Sequence, residues 1–264
     1  MSDRVLILDF GSQVTQLIAR RVRENGVYSI VMPPNITAEK LDALRPKAII
    51  LSGGPASVHE HASPTVTPHV FEMGIPVLGI CYGEQLTCQL LGGNVIPSDE
   101  REFGRAFIEI ADDCLLFDGI WKKGESHQVW MSHGDRVDAI PSGFHAVAKT
   151  PSAPFAAIAD DTRKFYGVQF HPEVVHTPDG GKLLRNFTHT IAGCRGDWNM
   201  TSFREQAIRK IRADVGDGKV ICGVSGGVDS TVVAALLHEA IGPRLTSIFV
   251  DTGLLRLSEG MQVK

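Results

Sequence analysis

The chain has 264 residues, of which 43% are hydrophobic and 21% are charged. This is an ordinary globular composition, and it excludes a disordered or low-complexity protein. The formal net charge of −4 is unlike that of a nucleic-acid-binding domain. No apolar run approaches the roughly 18 residues that span a bilayer, and Asp9 interrupts the short apolar stretch at the amino terminus, which is therefore not a signal peptide. We expect a soluble cytoplasmic protein without nucleic-acid or membrane partners.

The first part of the chain alternates between apolar strands and amphipathic helices. The predicted strands are Val5–Phe10, Val27–Met32, Ala48–Leu51 and Pro76–Ile80, and the predicted helices are Gln13–Glu24, Thr37–Leu44, Thr65–Glu72 and Gly83–Leu91. This alternation predicts an α/β fold with a mostly parallel, doubly wound sheet that is covered on both faces. Ligands of such sheets bind at the carboxyl ends of the strands.

From about Arg101 the pattern changes to short strands separated by turns, which predicts an added antiparallel portion. These strands are Phe103–Ile110, His127–Ser132, Phe144–Lys149, Phe155–Ile158 and Phe165–Phe170, and the helical spacing returns over Lys182–Ile191. A linker is predicted over 193–202. A second α/β segment then begins, with a helix over Phe203–Val215 capped by Ser202, a strand over Lys219–Val224, a helix over Ser230–Ile241 and a strand over Leu245–Asp251.

A cysteine lies between a strand and a helix in the segment Gly79–Ile80–Cys81–Tyr82–Gly83. A nucleophile elbow has this context, because small flanking residues permit its strained turn. The helix amino terminus behind Cys81 favours the thiolate, which is the reactive form. We interpret Cys81 as a nucleophile. The alternative is a buried structural cysteine, which is our interpretation of the other four; they contain no CxxC pair and predict neither disulfides nor zinc.

A histidine ends a predicted strand at the same sheet edge, in the segment Gln169–Glu173. Residues i and i+2 of an extended segment point the same way, so Glu173 is expected beside His171. A thiolate nucleophile needs a base, and the base needs an orienting partner. We therefore predict a triad of Cys81, His171 and Glu173. The alternative is that His171 is a turn residue without a catalytic role.

Two glycines follow the third predicted strand. The backbone N–H groups of Gly53 and Gly54, together with that of Tyr82, are candidates for stabilising a developing oxyanion. A plain glycine-rich turn is the alternative explanation. Together with the triad, these groups predict acyl transfer through a thioester, without identifying the acyl group.

A second loop, Ser225–Gly226–Gly227–Val228–Asp229–Ser230, also follows an apolar strand and opens a helix. Backbone N–H groups in such a loop cradle phosphate oxygens, and the hydroxyls of Ser225 and Ser230 add donors. The loop is neither a Walker A motif nor G-x-G-x-x-G. Asp229 would repel phosphate directly, so any role is expected to run through Mg²⁺. A capped helix start is the alternative.

Three of these segments together, Gly79–Gly83, Leu51–Pro55 and Gln169–Glu173, resemble the class I (triad-type) glutamine amidotransferases over residues 4–192. The resemblance implies that Cys81 attacks the side-chain amide of glutamine, that ammonia leaves, and that water hydrolyses the γ-glutamyl thioester. It implies triad roles for His171 and Glu173 and oxyanion roles for Gly54 and Tyr82. The positions that it implies for glutamine binding are Ser52, Gly53, Gln85, Ser132, His133 and Gly134.

The loop over 225–230 resembles the pyrophosphate loop of N-type ATP pyrophosphatases, and an amidotransferase followed by this loop resembles the GMP synthase family. The resemblance implies that ATP, with Mg²⁺, adenylates XMP with release of pyrophosphate, and that ammonia from glutamine displaces AMP to give GMP and leaves glutamate. No cofactor is implied for the glutaminase part. We expect an amidotransferase domain over 1–192 and the first part of a pyrophosphatase domain over 203–264. The resemblance further implies a homodimer formed through regions beyond this chain.

The sequence departs from the family pattern in two ways. Glu84 stands where the family more often has Met, and a carboxylate there suits the helix dipole but opposes a nearby thiolate. The chain also stops at Lys264, soon after the second strand of the pyrophosphatase segment, which cannot bury a doubly wound core. We therefore expect a fragment that retains glutaminase chemistry but does not complete GMP synthesis.

Two alternatives from other classes remain. One is a thiol hydrolase that acts on γ-glutamyl peptides, and the loop over 225–230 argues against it. The other is a nucleotide-binding or regulatory module whose thiol is dormant, and Glu84 together with the expected truncation keeps it open.

Overall fold

The computed structural model describes residues 3–249, apart from the side chains of residues 98–101 and 202. The last two residues of the predicted strand Leu245–Asp251, and the remainder of the proposed pyrophosphatase segment to Lys264, lie outside the described residues. The chain divides into two compact units, Met1–Trp198 and Asn199–Lys264. None of the helices within residues 3–249 has both the length and the apolar character that a bilayer span requires.

The first unit is built on one large sheet flanked by helices. Its strands are β1 (Arg4–Leu8), β2 (Tyr28–Met32), β3 (Ala48–Leu51), β4 (Val77–Ile80), β5 (Asn94–Ile110), β6 (Ser126–Ala139), β7 (His145–Lys149), β8 (Ala157–Asp160) and β9 (Phe165–Val168). Its helices are α1 (Thr15–Glu24), α2 (Ala38–Leu44), α3 (His69–Glu72), α4 (Tyr82–Leu90) and α5 (Gly180–Arg185), and a π-helical turn over Asn186–Ile191 continues α5.

In the part of the chain that the structure describes, the strand order of this sheet is β2-β1-β3-β4-β9-β8-β7-β5-β6. Strands β2, β1, β3, β4 and β9 are parallel neighbours, and the pairs from β9 to β6 are antiparallel. The predicted α/β class, with a mostly parallel doubly wound sheet and an added antiparallel portion, is confirmed. Strand β9 returns to pair with β4, and so the carboxyl ends of these two strands meet at one edge.

The alternation of side chains along the strands explains why both faces are covered. On β1, Val5 and Ile7 point into one hydrophobic core, whereas Leu6 and Leu8 point into the other. Helices α1 and α5 cover the first core, and α2, α3 and α4 cover the second. Strands that are buried on both faces are near-continuous apolar runs, which is why they could be recognised from the sequence.

Several boundaries differ from the prediction. Strand β5 begins at Asn94 rather than Phe103, and β6 ends at Ala139 rather than Ser132. The two strands form one long hairpin in which Asn94 pairs with Ala139. The added residues are mostly polar, so backbone pairing rather than an apolar pattern identifies them as strand.

The second unit is small. It contains α6 (Met200–Val215), β10 (Val220–Val224), α7 (Val228–Ile241), a 3₁₀ turn (Gly242–Arg244) and β11 (Leu245–Phe249), and β10 pairs in parallel with β11. Helix α6 begins at Met200, ahead of the Ser202 cap that the sequence predicted. In the described part of this unit, the buried apolar side chains that cluster together are Ile208, Ala240 and Ile241.

Candidate active site

Cys81 lies at the junction between β4 and α4, with φ +52° and ψ −106°. A residue other than glycine rarely adopts a positive φ, so the surrounding structure must hold this strained turn in place. The Cys81 N–H donates a hydrogen bond to the Val168 carbonyl at 2.8 Å, which joins the turn to the end of β9. A Cβ on Gly83 would collide with the Leu51 carbonyl oxygen, and a Cβ on Gly79 would lie 2.5 Å from the Gly83 carbonyl oxygen. The glycines on either side of the cysteine therefore allow β3, β4 and α4 to meet.

His171 and Glu173 follow β9 at the same edge of the sheet. Nδ1 of His171 lies 2.8 Å from Oε1 of Glu173, and both side chains are buried. Residues 171–173 form the start of a turn and are not extended, so the i, i+2 argument from a strand was wrong, although the two side chains do meet. The backbone of His171 is fixed from both sides, because its N–H donates to the Trp130 carbonyl and its carbonyl accepts from the Thr177 hydroxyl.

The environment of His171 favours its charged form. Burial opposes the charge, but hydrogen bonds to Cys81 and Glu173, together with the negative charges of these groups, outweigh burial and raise the pKa of His171 to about 10. The thiol, the imidazole and the carboxyl therefore lie together at this edge of the sheet, where Cys81 and His171 line the same cavity. This arrangement suits a thiolate that is paired with an imidazolium.

The candidate oxyanion donors lie next to the cysteine. Among the described residues, the N–H groups of Gly54 and Tyr82 donate to no protein acceptor. Gly53 holds the neighbouring turn against the triad, since a Cβ there would lie 3.0 Å from Cε1 of His171 and 3.7 Å from Cβ of Cys81. The backbone thus brings two unused donors to the carboxyl ends of β3 and β4, where charge would develop.

Two cavities open on either side of Cys81. One of about 450 Å³ is lined by residues of the turn after β3, by Tyr82 and Gln85 of α4, by Phe103, and by 132–135 of β6. The other, of about 380 Å³, is lined by His171, Trp130, Val174 and residues 11–14. Gly54, Pro55, Cys81 and Ser132 border both cavities. Most of the predicted glutamine-binding residues line the first cavity, and the candidate base, His171, lines the second.

The predicted glutamine-binding residues occupy different places. Gln85 lines the first cavity, and its Nε2 donates to the Asp135 carbonyl at 2.9 Å and to Oε1 of Gln169 at 3.0 Å. Ser132 is in contact with the nucleophile, because its carbonyl oxygen lies 3.4 Å from Sγ of Cys81. Ser52 is fully buried beneath the turn, where its hydroxyl accepts from the Phe10 N–H and donates to the Gly53 carbonyl. Ser52 therefore shapes the turn and does not line either cavity.

Both ring nitrogens of His133 are engaged by the protein. Nδ1 lies 3.0 Å from the Asp135 carbonyl oxygen, and Nε2 lies 3.1 Å from Oε2 of Glu102. The neighbouring residue Gly134 also lines the first cavity. The structure therefore places His133 at the wall of the first cavity, where its imidazole ring is hydrogen-bonded to the protein through both nitrogens.

Glu84 lies beneath the elbow and is fully buried. Neither of its carboxyl oxygens has a hydrogen-bond partner among the described residues, and a Cβ on Gly167 of β9 would meet its Cγ. Burial, and to a smaller extent the charge of Cys81, raises the pKa of this carboxyl well above its usual range. Burial therefore favours the protonated form of Glu84. The expected opposition between a Glu84 carboxylate and the thiolate stays a prediction, and burial of Glu84 acts to weaken it.

The loop over 225–230 belongs to the second unit. The Ser230 hydroxyl accepts from the Ser225 N–H and donates to the Gly227 carbonyl, each at 3.1 Å, and the Ser225 hydroxyl accepts from the Gly227 N–H at 3.4 Å. Gly226 has φ +84°, and Gly227 is the N-cap of α7. Val228 and Asp229 are exposed. The serines thus close the loop from within, and the exposed end of α7 faces solvent.

Sequence reasoning missed several residues at this site. Glu102, Thr150 and Ser152 form a hydrogen-bonded group behind His133, Gln169 buries its side chain against Gln85, and residues 11–14 line the second cavity. Thr150 and Ser152 lie far along the chain from the motifs, and nothing in their spacing signals a shared role. The bulge that brings Glu102 to His133 could not be read from residue type.

Comparisons with known proteins identify the first unit. The profile of the family described as glutamine amidotransferase class-I matches residues 6–191. The chain belongs to the class-I glutamine amidotransferase family. The NAD synthase profile matches residues 200–250, which agrees with the start of an N-type pyrophosphatase segment.

Several curated relatives of this chain are GMP synthases. The chain is 63% identical over 261 residues to the glutamine-hydrolysing GMP synthase of Rhodopseudomonas palustris and 61% identical to that of Phenylobacterium zucineum. Each match covers 99% of this chain and 48% or 50% of the relative. The resemblance to the GMP synthase family is confirmed, and the chain spans about half the length of the curated relatives it matches.

Solved structures agree with the fold. A protein from Thermoplasma acidophilum, described as a candidate subunit of GMP synthase, matches with a TM-score of 0.65 and 28% identity, over 80% of this chain and 98% of that one. A glutamine amidotransferase from Thermotoga maritima matches with a TM-score of 0.56 and 19% identity, over 73% of this chain and 99% of that one. The second match supports the fold alone.

Proposed function

We propose that this chain carries the glutaminase half-reaction of a glutamine-hydrolysing GMP synthase. The observation that supports this proposal most strongly is the grouping of Cys81, His171 and Glu173 at the edge of the sheet, beside two unused backbone donors. Glutamine would bind in the first cavity, against Gln85 and the β6 segment 132–135. Its side-chain carbonyl would then lie between Cys81 and the N–H groups of Gly54 and Tyr82.

In the first step the Cys81 thiolate attacks the amide carbon, and a C–S bond forms while charge develops on the oxygen. The N–H groups of Gly54 and Tyr82 stabilise that oxyanion. The imidazolium of His171 donates its proton to the leaving nitrogen, the C–N bond breaks, and ammonia departs from a γ-glutamyl thioester. Glu173 holds the imidazole in the required orientation throughout.

In the second step water attacks the thioester, and His171 accepts a proton from it. The C–S bond then breaks, glutamate leaves and the Cys81 thiolate returns. Residues 11–14, Trp130 and Val174 border the cavity on the side of His171. Because His171 protonates the leaving nitrogen, ammonia is expected to depart on that side.

For the whole protein we propose the reaction of XMP, ATP and glutamine to GMP, AMP, pyrophosphate and glutamate, and a homodimer formed through regions beyond this chain. The loop over 225–230 would hold the pyrophosphate part of ATP through backbone N–H groups. Asp229 is a single exposed carboxylate, which fits a Mg²⁺ ion that is bound mainly by phosphates. That ion would neutralise phosphate charge when bound. We propose the domain limits 1–192 and 203–264, with a linker over 193–202 whose last three residues already belong to α6.

The test is mass spectrometry of the chain after treatment with 6-diazo-5-oxo-L-norleucine, an electrophile that mimics glutamine, with glutamine as competitor. Selective labelling of Cys81, blocked by glutamine and lost in His171→Ala, is expected. Iodoacetamide, which needs no glutamine site, is the control reagent: its reaction with the other four cysteines should not respond to glutamine. Labelling spread over several cysteines and unaffected by glutamine would contradict the proposal, and cleavage of γ-glutamyl peptides without glutamine hydrolysis would favour a thiol hydrolase.

A further inference from the structure

The long β5–β6 hairpin contains an irregularity beside the candidate site. Pro97 pairs with Asp135 and Glu102 pairs with His133, and the register shifts between these pairs. The β5 residues between Pro97 and Glu102 therefore face a single β6 residue, Gly134. Bulges of this kind bend a strand and re-aim its side chains. Here the bulge ends with Glu102 opposite His133, at the wall of the first cavity.

The carboxylate of Glu102 accepts hydrogen bonds from three side chains. Nε2 of His133 lies 3.1 Å from Oε2, the hydroxyl of Thr150 donates to Oε1 at 3.2 Å, and the hydroxyl of Ser152 donates to the same oxygen. The hydrogen bond from His133 is the main cause that lowers the pKa of Glu102, against the opposing effect of burial. Thr150 is in turn held by the Ala153 N–H at 2.8 Å. The loop after β7 thus fixes Glu102 from behind.

His133 connects Glu102 to the backbone of β6 that forms the wall of the first cavity. A carbonyl oxygen only accepts hydrogen bonds, so Nδ1 of His133 must donate to the Asp135 carbonyl, 3.0 Å away. With Nε2 facing Glu102, the ring has no free nitrogen, and its side chain is only 1% exposed. The ring therefore locks the backbone of β6 between residues 133 and 135.

The segment 132–135 contacts the nucleophile at one end and a residue predicted to bind glutamine at the other. The Ser132 carbonyl oxygen lies 3.4 Å from Sγ of Cys81, and the Asp135 carbonyl accepts a hydrogen bond from Gln85 at 2.9 Å. A shift of this segment would therefore move the cavity wall relative to Cys81. Small misplacements of this kind cost binding or rate even when their cause lies outside the reacting groups.

We propose that Glu102, held by Thr150 and Ser152, is a positioning residue for glutamine: it fixes His133 and, through it, the 132–135 wall of the substrate cavity. This inference rests on the proposed glutaminase function. It assigns Glu102 no contact with the reacting atoms. Its loss should weaken recognition of glutamine more than it affects the reactivity of the thiol.

The test compares two labels on Cys81 in the full 264-residue chain. In Glu102→Ala, the labelling rate with 6-diazo-5-oxo-L-norleucine should fall about tenfold or more, and the glutamine concentration that gives half-protection should rise by a similar factor. The rate with iodoacetamide, which needs no glutamine site, should stay within about twofold of the original. Glu109→Ala is the matched control, since Glu109 lies on the same strand and is paired at the surface with Lys149; it should change neither rate.

Two further variants separate positioning from general damage to the fold. Glu102→Gln keeps groups that can accept from Thr150 and Ser152 and donate to His133, so it should recover most of the lost rate. The double variant Thr150→Val, Ser152→Ala keeps the carboxylate but removes its support, and it should resemble Glu102→Ala. The inference is overturned if Glu102→Ala reacts with the glutamine mimic and is protected like the original chain, or if both labels slow equally in every variant. Absence of selective labelling in the original chain would instead overturn the proposed function itself.

Discussion

Nδ1 of His171 and Oε1 of Glu173 lie 2.8 Å apart, although the two residues are separated by one proline in a turn. The turn folds the Glu173 carboxyl back under the imidazole, where it is fully buried, and the Arg21 guanidinium donates to the Glu173 carbonyl at 3.1 Å. The pair is therefore held by its local backbone and by α1. Its charge state connects the stability of the first unit to pH.

Glu173→Gln should lower the stability of the first unit most strongly at mildly acidic and neutral pH. The folded pKa of His171, about 10, lies above its ordinary value of 6.5. The resulting stabilisation is fully present below pH 6.5 and is lost as pH rises towards 10. The difference between variant and original should therefore shrink across that window. Denaturant unfolding followed by tryptophan fluorescence measures it, because Trp121, Trp130 and Trp198 all lie in the first unit. A constant difference from pH 6 to pH 10 would contradict the assignment.

Glu84→Gln should make the first unit more stable than the original, by an amount that grows as pH rises. Burial raises the pKa of Glu84 well above 4.5, so the folded state holds a proton that the unfolded state loses. This linkage destabilises the original chain as pH rises above 4.5, by up to about 1.4 kcal/mol per pH unit. The variant lacks the titration, and its stability advantage should grow with pH. Unfolding free energies at pH 5 and pH 8 provide the measurement, and an advantage that does not grow would show that Glu84 is ionised in the folded chain.

Gly83→Ala should destabilise the first unit by about 1–3 kcal/mol or prevent it from folding, because the added methyl group collides with the Leu51 carbonyl. Gly181→Ala is the matched control. Gly181 lies in α5, and a Cβ there meets nothing within 4 Å. That change should instead stabilise the unit by about 0.4–1 kcal/mol. Thermal unfolding of both variants gives the comparison, and a Gly83→Ala chain of unchanged stability would mean that the elbow is looser than described.

The second unit should be digested before the first in limited proteolysis. Its apolar residues Ile221, Val228 and Val232 are 73%, 78% and 51% exposed, and its buried cluster is small. Little apolar burial means little stabilisation against local opening. Trypsin should cut first near Arg204, Arg209 or Arg212 and leave a product that contains the large sheet. Early cleavage within residues 4–191 would refute this expectation, and mass spectrometry of the first products distinguishes the two outcomes.

The sequence allowed the parallel part of the sheet to be predicted because strands such as β3 are buried on both faces and are therefore continuously apolar. It also placed Cys81 correctly at the strand–helix turn, since glycine spacing carries that information locally. The extent of β5 and β6 was not predictable, because polar residues in a hairpin are held by backbone pairing. The raised pKa of Glu84 was not predictable either, because the sequence does not show that Gly167 and the helix close over its carboxyl.

The same applies to the group around Glu102. A carboxylate and two hydroxyls about fifty residues further along the chain become neighbours only through the order of β5, β7 and the loop that follows. The family resemblance at Ser132–Gly134 predicts that this segment binds glutamine. It does not show which residues hold the segment in place. Contacts between distant segments depend on topology, and residue type alone does not encode them.

The buried carboxyl of Glu84 makes this chain suitable for vibrational spectroscopy. Burial favours the protonated form of Glu84, whose carboxyl has no hydrogen-bond partner among the described residues. We expect the carbonyl stretch of such an acid apart from the bands of ionised carboxylates and backbone amides. The charge of Cys81 acts on this group, so the frequency should shift when the sulfur is ionised, acylated or alkylated. An infrared difference spectrum, with Glu84→Gln to assign the band, would follow the chemistry at the sulfur without a label.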